Sequence, residues 1–233
     1  MKLTQTQIKE LYKFTRKHYV EYYDVQTELV DHLANDIEEI WQEYPNLSFE
    51  DARDKSFKKF GVFGFMNVVD AKVVQMNKKY YKVILKFARE WFQLPKIILT
   101  IALFFGFYQL QELEISYLIY NVILFSIFII QIVVLVFNSR KLKKKYKITQ
   151  KSWLFESILQ TQGYGNSVLM LFYGFYFLIP GNSIDFMLMG NFRSVLTALF
   201  ATVFILVSYI TLVVIPKKAN QLLAETYPEY KLI

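Results

Sequence analysis

The sequence predicts an all-α protein, with a small cytoplasmic helical domain followed by a four-helix transmembrane bundle. Four long apolar stretches support this prediction, at residues 94–110, 115–137, 164–179 and 194–215, and they carry one charged side chain, Lys96. A helix needs about 20 apolar residues to cross the hydrocarbon core of a bilayer. The second and fourth stretches are long enough, and the other two need a turn from their flanks. No segment alternates apolar and polar residues between turn signals, so no sheet is expected.

The distribution of positive charge predicts how these spans are oriented. Of the 27 Lys and Arg residues, 16 lie in residues 1–96, seven in residues 138–152 and three after the last span, whereas Arg193 lies in a loop on the opposite side. Positively charged flanks resist translocation and stay cytoplasmic. We therefore expect both termini and the loop 138–163 in the cytoplasm, which requires four spans. The polar start predicts no cleavable signal peptide, and the layout suits a bacterial inner membrane.

Residues 1–75 are predicted to form the cytoplasmic helical domain, and its first two helices have recognisable ends. Thr4 and Gln7 fit a capping box, in which each side chain accepts from the backbone N–H of the other residue. Asp24 is positioned to cap the second helix, and Pro45 to end it. The predicted apolar face of the second helix consists of Val30, Leu33, Ile37, Ile40, Trp41 and Tyr44.

The third helix has start and stop signals of its own. Ser48 with Asp51 predicts an N-cap. Gly61 stands where a helix C-cap requires a positive φ. The predicted inner face of this helix consists of Ala52, Phe57 and Phe60.

A fourth helix, from about Phe63, is predicted to lead towards the membrane. Charge reverses along this part of the chain: residues 1–70 hold 9 basic and 13 acidic side chains, and residues 71–96 hold 7 and 1. We assign residues 76–93 as a basic juxtamembrane helix in contact with anionic lipid, with the acidic domain held away from the surface. The aromatic anchors of the fourth helix include Phe87 and Phe92. Its predicted periodic face, counted from the start of the helix, consists of Met66, Val69, Val73, Asn77, Tyr80, Tyr81, Ile84, Leu85, Ala88 and Trp91.

A second cluster of positive charge lies in the loop 138–163. The run 140–147 could bind nucleic acid or anionic lipid, and its position beside a span favours lipid, so no direct nucleic-acid binding is expected. The apolar segment 153–159 is predicted to form a short interfacial helix that Gly163 and Gly165 end. The lipid-surface residues predicted from both clusters are Lys78, Lys79, Lys82, Lys86, Arg89, Arg140, Lys141, Lys143, Lys144 and Lys145.

Few polar side chains lie within the predicted spans. Asn121 and Gln131 are interpreted as groups that hydrogen-bond between helices. Apart from Lys96 near the start of the first span, no charged residue lies within a predicted span, which argues against a pump or a proton-coupled transporter. Pro216 is predicted to end the fourth span and to leave a cytoplasmic tail, 217–233. Small residues recur on one side of this span, either for packing within the bundle or for contact with another membrane protein: Ser194, Ala198, Ala201 and Ser208.

No catalytic, cofactor-binding or metal-binding constellation is expected. The chain has no cysteine, and it contains no phosphate-binding loop, dinucleotide fingerprint, nucleophile elbow or zinc motif. His32 and Asp36 share a helix face and could in principle bind a divalent metal, but two ligands on one helix do not complete a site. We therefore expect a protein that is not an enzyme.

Three segments together resemble a known bacterial module. They are the acidic stretch 28–40 with His32 near its centre, the segment 47–52, and Phe60-Gly61. Over about residues 5–75 the chain resembles the HAAS domain and the similar prefix domain of some ABC-type permeases. The resemblance implies a cytoplasmic helical domain fused to a multi-span bundle. HAAS proteins are associated with PadR-type regulators in membrane signalling, whereas the prefix-domain relatives are attached to transporters.

These features predict a non-enzymatic inner-membrane protein that docks a partner through its cytoplasmic domain, in signalling or regulation. The partner would be a soluble regulator or an integral membrane complex, with lipid around the bundle. An alternative is a small accessory or assembly subunit of a transporter or a secretion machine, and a third possibility is a lipid or small-molecule carrier. The predicted docking residues lie on the exposed acidic face of the second helix: Glu28, Asp31, Asp36 and Glu39.

Overall fold

The computed structural model describes residues 2–91 and 93–232, except for the side chains of Gln162, Gly163, Ser167, Lys231 and Leu232. Phe92, predicted as a membrane anchor, lies outside the described residues. Helices make up the regular structure of the described part, which contains no strand, so the all-α prediction is confirmed. The helices are α1 Gln5–Lys17, α2 Tyr23–Glu43, α3 Phe49–Lys58, α4 Met66–Glu90, α5 Lys96–Leu110, α6 Ser116–Thr149, α7 Leu154–Phe177, α8 Ser183–Met187, α9 Asn191–Tyr209 and α10 Ile215–Thr226, with a π-helix at Ile210–Val214 and a 3₁₀-helix at Pro228–Leu232.

The chain forms two compact units. The first unit comprises the N-terminal residues as far as Lys78 together with Lys144–Phe155, and the second comprises Lys79–Lys143 and the residues from Glu156 onwards.

Local capping signals define the helix ends of the first unit. The Thr4 Oγ1 accepts from the Gln7 backbone N–H, and the Gln7 Oε1 accepts from the Thr4 N–H at 2.9 Å, which confirms the predicted capping box. The Ser48 Oγ accepts from the Asp51 N–H at 3.1 Å and begins α3. Gly61 has a φ of 75°, as its C-terminal position predicts.

The core of the first unit is built on one face of α2. Leu29, Leu33 and Ile37 of this face have no exposed surface, and α1 and α3 both pack against α2. Full burial of a large aliphatic side chain stabilises a fold by about 1.5–3 kcal/mol. The predicted face is confirmed except at Tyr44, which is half exposed because α2 has already ended at Glu43.

Asp24 does not cap its own helix. It is the second residue of α2, whose N-cap is Tyr22, and its carboxylate therefore lies inside the first turn. The Asp24 Oδ1 accepts instead from the backbone N–H of Leu154, at 3.1 Å, where α7 begins. A helix N-terminus offers unpaired N–H groups and a partial positive charge, so a carboxylate from a distant segment serves it well.

The buried face of α4 agrees with the predicted one in part. Met76, Tyr80, Val83 and Phe87 are buried, whereas Leu85 is 57% exposed. Met66 and Tyr81, also predicted to face inwards, are about half exposed. Tyr80 of the predicted face is buried and most of its other members are half-buried, so the prediction fails at Met66, Tyr81 and Leu85.

The segment predicted as the loop 138–163 is mostly helical. The basic run continues α6 as far as Thr149, because it contains no Gly or Pro and because Lys and Arg favour helices. The next helix, α7, runs through Gly163 and Gly165 without a break. The predicted break is wrong because a single glycine costs a helix only about 1 kcal/mol.

Pro216 does not end the last long helix. A π-helix at Ile210–Val214 follows α9, and Pro216 lies in the first turn of α10. The first turn tolerates proline because its N–H groups have no partner within the helix. The prediction that the helix ends at Pro216 is therefore wrong.

The second unit contains the long apolar helices. By length and composition, α6 and the continuous helix Asn191–Thr226 could each cross a membrane, and α5 is a shorter apolar helix. Tyr120, Leu124, Ala198, Ala201 and Phe204 form the centre of its core, with no exposed surface. Other large apolar side chains of α6 are exposed, among them Ile129 at 59%. Such helices are consistent with membrane association.

Candidate functional site

The candidate site lies on α2, on the side opposite the core. Glu28, His32, Asn35 and Glu39 follow one another at steps of four, three and four residues, a spacing that brings side chains onto one side of a helix. Asp31 and Asp36 border this stripe. The predicted acidic residues therefore share one side of α2, but their environments differ.

Two of the four predicted carboxylates are already paired. The Lys72 Nζ lies 2.6 Å from the Glu28 Oε2, and the Lys59 Nζ donates to the Asp36 Oδ1. Asp31 and Glu39 are exposed, and neither forms an ion pair with another described residue. The free negative charge of the stripe is therefore concentrated on Asp31 and Glu39.

The ion pair of Asp36 with Lys59 keeps the carboxyl of Asp36 ionised. Partial burial opposes ionisation, but the hydrogen bond from Lys59, the neighbouring Ser56 hydroxyl and the positive charge of Lys59 outweigh it and lower the pKa of Asp36. The same hydrogen bond raises the pKa of Lys59. Both groups are therefore charged over the whole physiological pH range.

An open pocket lies beside this pair. It has a volume of about 480 Å³ and is lined by His32, Asn35, Asp36, Glu39, Ser56, Lys59, Phe60 and Val68. Its volume falls within the range of about 300–1,000 Å³ typical of ligand sites. The pocket joins apolar walls to carboxylates at the rim, so it could accept an apolar side chain next to a basic one.

The pocket does not have the composition of a metal centre. Within the described part of the chain, no three His, Asp or Glu side chains are grouped closely enough to hold a metal ion. His32, Asp36 and Glu39 all line the pocket, but they are not grouped closely enough to hold one ion.

Residues 150–154 belong to the first unit and contact its N-terminal helices. The sequence did not predict these contacts. The Tyr23 N–H donates to the Ser152 carbonyl at 2.6 Å, and the Arg16 Nη2 donates to the Gln150 carbonyl at 3.2 Å. The Trp153 ring packs edge-on against Tyr23, with 5.3 Å between the ring centroids. Together with the bond from Leu154 to Asp24, these contacts fix the segment between α6 and α7 onto the N-terminal domain.

Glu156 is a buried, hydrogen-bonded carboxylate that the sequence analysis did not predict. It lies in the first turn of α7 and is only 4% exposed. The Tyr230 hydroxyl donates to its Oε1 at 2.9 Å. The only available signal was a single acidic residue inside the apolar segment 153–159, and the partner, 74 positions away, could not be identified from it.

The predicted lipid-surface residues occupy two helices. Lys82, Lys86 and Arg89 of α4 line an open groove. Lys78 is exposed and Lys79 is half buried on the same helix. On α6, Lys145 is half exposed and the other residues of the predicted set are exposed: Arg140, Lys141, Lys143 and Lys144.

The small-residue strip of α9 packs inside the second unit. Ala198 and Ala201 have no exposed surface. The Gln131 Nε2 donates to the Ser208 Oγ at 2.8 Å, which confirms that Gln131 bonds between helices, and the Ser194 carbonyl accepts from Gln111. Asn121 was predicted to do the same and instead donates to the Tyr117 carbonyl in its own helix.

Comparison with known proteins gives no match: no family model, no curated protein and no solved structure is significantly similar to the chain.

Proposed function

We propose that the chain is a four-span inner-membrane protein with both termini in the cytoplasm, and that its HAAS-like N-terminal domain docks a partner in signalling or regulation. The observation that carries the proposal is the pocket beside Asp36 and Glu39, on a domain whose chain continues into long apolar helices. The topology and the docking surface are supported by separate contacts.

The first support for four spans is the contact between Tyr23 and Ser152. Because these residues are bonded, they lie on the same side of the membrane, and the chain between them crosses an even number of times. The 34-residue α6 is long enough to cross alone. An even count then requires α5 to cross as well, although its 15 residues extend only about 22 Å. A short span is accommodated by local thinning of the bilayer at modest cost.

The same argument applies to the C-terminal half. Glu156 and Tyr230 are bonded, so the chain between them also crosses an even number of times. The helix Asn191–Thr226 is long enough for one crossing, and α7 supplies the other. The distribution of Lys and Arg supports the cytoplasm as the common side of both halves.

The partner is best described by the chemistry of the pocket. Phe60 and Val68 provide an apolar wall, and Glu39 provides an unpaired carboxylate at the rim. A helix or peptide that presents an apolar anchor and a Lys or Arg about one turn away would match this arrangement. Asp31 extends the acidic surface along α2, whereas Glu28 and Asp36 keep their lysine partners.

A charge-reversal pair tests the docking surface. Glu39→Lys changes the pocket rim without breaking an ion pair, and Glu10→Lys makes the same change on an exposed position of α1. Tagged full-length proteins are purified from native membranes in mild detergent, and the proteins that come with them are quantified by mass spectrometry. We expect a partner that is lost from Glu39→Lys and retained by Glu10→Lys. Identical partner sets for both variants would contradict docking through α2.

The accessory-subunit alternative gives a different result in the same purification. It assigned the partner contact to the strip on α9, whose alanines are buried. A stoichiometric membrane partner that both charge variants retain would favour that alternative and move the contact to the exposed faces of the second unit.

A further inference from the structure

An open groove runs along the exposed side of α4 in the second unit. It has a volume of about 390 Å³ and is lined by Lys82, Leu85, Lys86, Arg89, Glu90 and Gln93. The three basic residues are exposed and follow at steps of four and three residues, so their side chains share one side of the helix.

The positive charge of this groove is only partly balanced by a nearby carboxylate. Within the described residues, Lys82, Lys86 and Arg89 form no ion pair. Glu90 lies at the groove and offsets part of the charge. Like charges one turn apart on a helix repel each other, so an anion bound among them would relieve that repulsion.

We propose that this groove is a binding site for the phosphate headgroup of an anionic phospholipid. This inference rests on the proposed membrane orientation, in which α4 lies on the cytoplasmic side directly before the first span. An arginine can donate two parallel hydrogen bonds to one phosphate group, and lysines add positive charge around it. Basic pockets at the cytoplasmic face of membrane helices bind anionic headgroups in this way.

The apolar wall of the groove favours a lipid over a soluble phosphate. Leu85 lies between the basic residues and is 57% exposed, although it is a large apolar side chain. The chain enters the apolar helix α5 at Lys96, shortly after the groove ends. A phospholipid provides an anion and an acyl chain together, whereas an inorganic or sugar phosphate would leave Leu85 in water.

Two triple variants with the same charge change test the site. The first is Lys82→Gln, Lys86→Gln and Arg89→Gln; the control is Lys9→Gln, Lys13→Gln and Lys17→Gln, three exposed positions on α1 outside the predicted lipid surface. Full-length proteins in mild detergent are titrated with phosphatidylglycerol and with phosphatidylcholine, and binding is followed by native mass spectrometry. We expect the wild type and the control to bind one phosphatidylglycerol in preference to phosphatidylcholine, and the α4 triple variant to bind it roughly tenfold or more weakly.

Two further measurements make the result specific. The conservative variant Lys82→Arg with Lys86→Arg keeps the charge and should bind as the wild type does. Soluble glycerol phosphate should not displace the lipid at comparable concentration. Equal weakening by both triple variants would overturn the site in favour of diffuse attraction, and efficient displacement by glycerol phosphate would overturn the lipid as ligand. Neither result bears on partner capture by Glu39 or on the side of the membrane that each loop occupies.

Discussion

The two units of the chain bury their apolar residues to very different degrees. In the first unit, α2 directs one apolar face inwards and a charged face outwards, and Leu33 has no exposed surface. In the second unit, α6 carries apolar residues all around, and Ile129 is 59% exposed. A helix that is apolar on every side is suited to a core or to lipid. The charged face of α2 is therefore suited to contact with water, whereas the exposed apolar side chains of α6 are consistent with membrane association.

This difference predicts that truncating an apolar side chain costs much more stability on the core face of α2 than on the exposed surface of α6. Leu33→Ala leaves a cavity in the core of the first unit and should destabilise it by about 2–5 kcal/mol. Ile129→Ala, the matched change on α6, removes side-chain atoms that are mostly exposed and should cost far less. Thermal unfolding of the detergent-solubilised protein, followed by tryptophan fluorescence, measures the first effect because Trp41 is buried on the same core face of α2 as Leu33. Similar losses for both variants would show that the comparison is wrong.

The second unit has its own tightly packed point, at Gly174 of α7. A Cβ at this position would lie 2.0 Å from the Phe200 Cζ, so Gly174→Ala must displace that ring. Overpacking of this kind costs about 1–3 kcal/mol. Gly165→Ala on the same helix meets no atom within 4 Å and should be neutral or slightly stabilising. A thermal shift assay in detergent compares the two variants; no loss of stability in Gly174→Ala would mean that α7 and α9 are not packed closely there.

A smaller effect is expected where Asp24 caps α7. Asp24→Ala removes the acceptor for the Leu154 N–H and should cost about 0.5–2 kcal/mol. Asp24→Asn keeps an acceptor oxygen and should lose less. Limited trypsin digestion reports the effect, because Lys151 lies in the attached segment. We expect faster cleavage after Lys151 in the alanine variant. Unchanged cleavage would show that Asp24 does not hold residues 150–154 on the N-terminal domain.

The smallest expected effect is a pH dependence of the first unit. The pKa of Asp36 is lowered in the folded protein, so its ionised form stabilises the fold above the unfolded pKa of about 3.9. This contribution is lost as the pH falls from about 4 through the lower folded pKa. Lys59 is largely exposed, and solvent screens its interaction with Asp36, so the contribution is small. In acid titrations of stability, Asp36→Asn should remove this component; the same pH dependence in the variant would exclude Asp36 as its source.

Local interactions were predictable from the sequence, and contacts between distant segments were not. The caps at Thr4 and Ser48 depend on residues three positions apart, and the core face of α2 follows from a simple period. The extension of α6 through its basic run was missed because hydropathy marks where a helix leaves an apolar region, not where it ends. The partners of Asp24 and Glu156 lie 130 and 74 positions away, and no local pattern identifies them.

The docking site was predicted only in outline. The acidic side of α2 could be identified from helical spacing, but the lysines that neutralise Glu28 and Asp36 come from the chain after α2. The apolar wall of the pocket likewise comes from Phe60 and Val68, which follow α2 in the chain. Helical periodicity relates residues within one helix and could not predict that these two residues pack beside α2. The structure therefore shifts the proposed docking centre towards Glu39.

The four-span topology is the central claim, and cysteine accessibility tests it most directly. The chain has no cysteine, so single cysteines can be introduced at the exposed positions Glu10, Lys147, Glu112 and Asp185 without a background signal. Intact cells are treated with a membrane-impermeant maleimide, and opened cells with the same reagent serve as the control. The account predicts labelling of positions 112 and 185 in intact cells, and of positions 10 and 147 only after opening. Labelling of position 147 but not of position 10 in intact cells would contradict it, because residues joined to one domain would then lie on opposite sides.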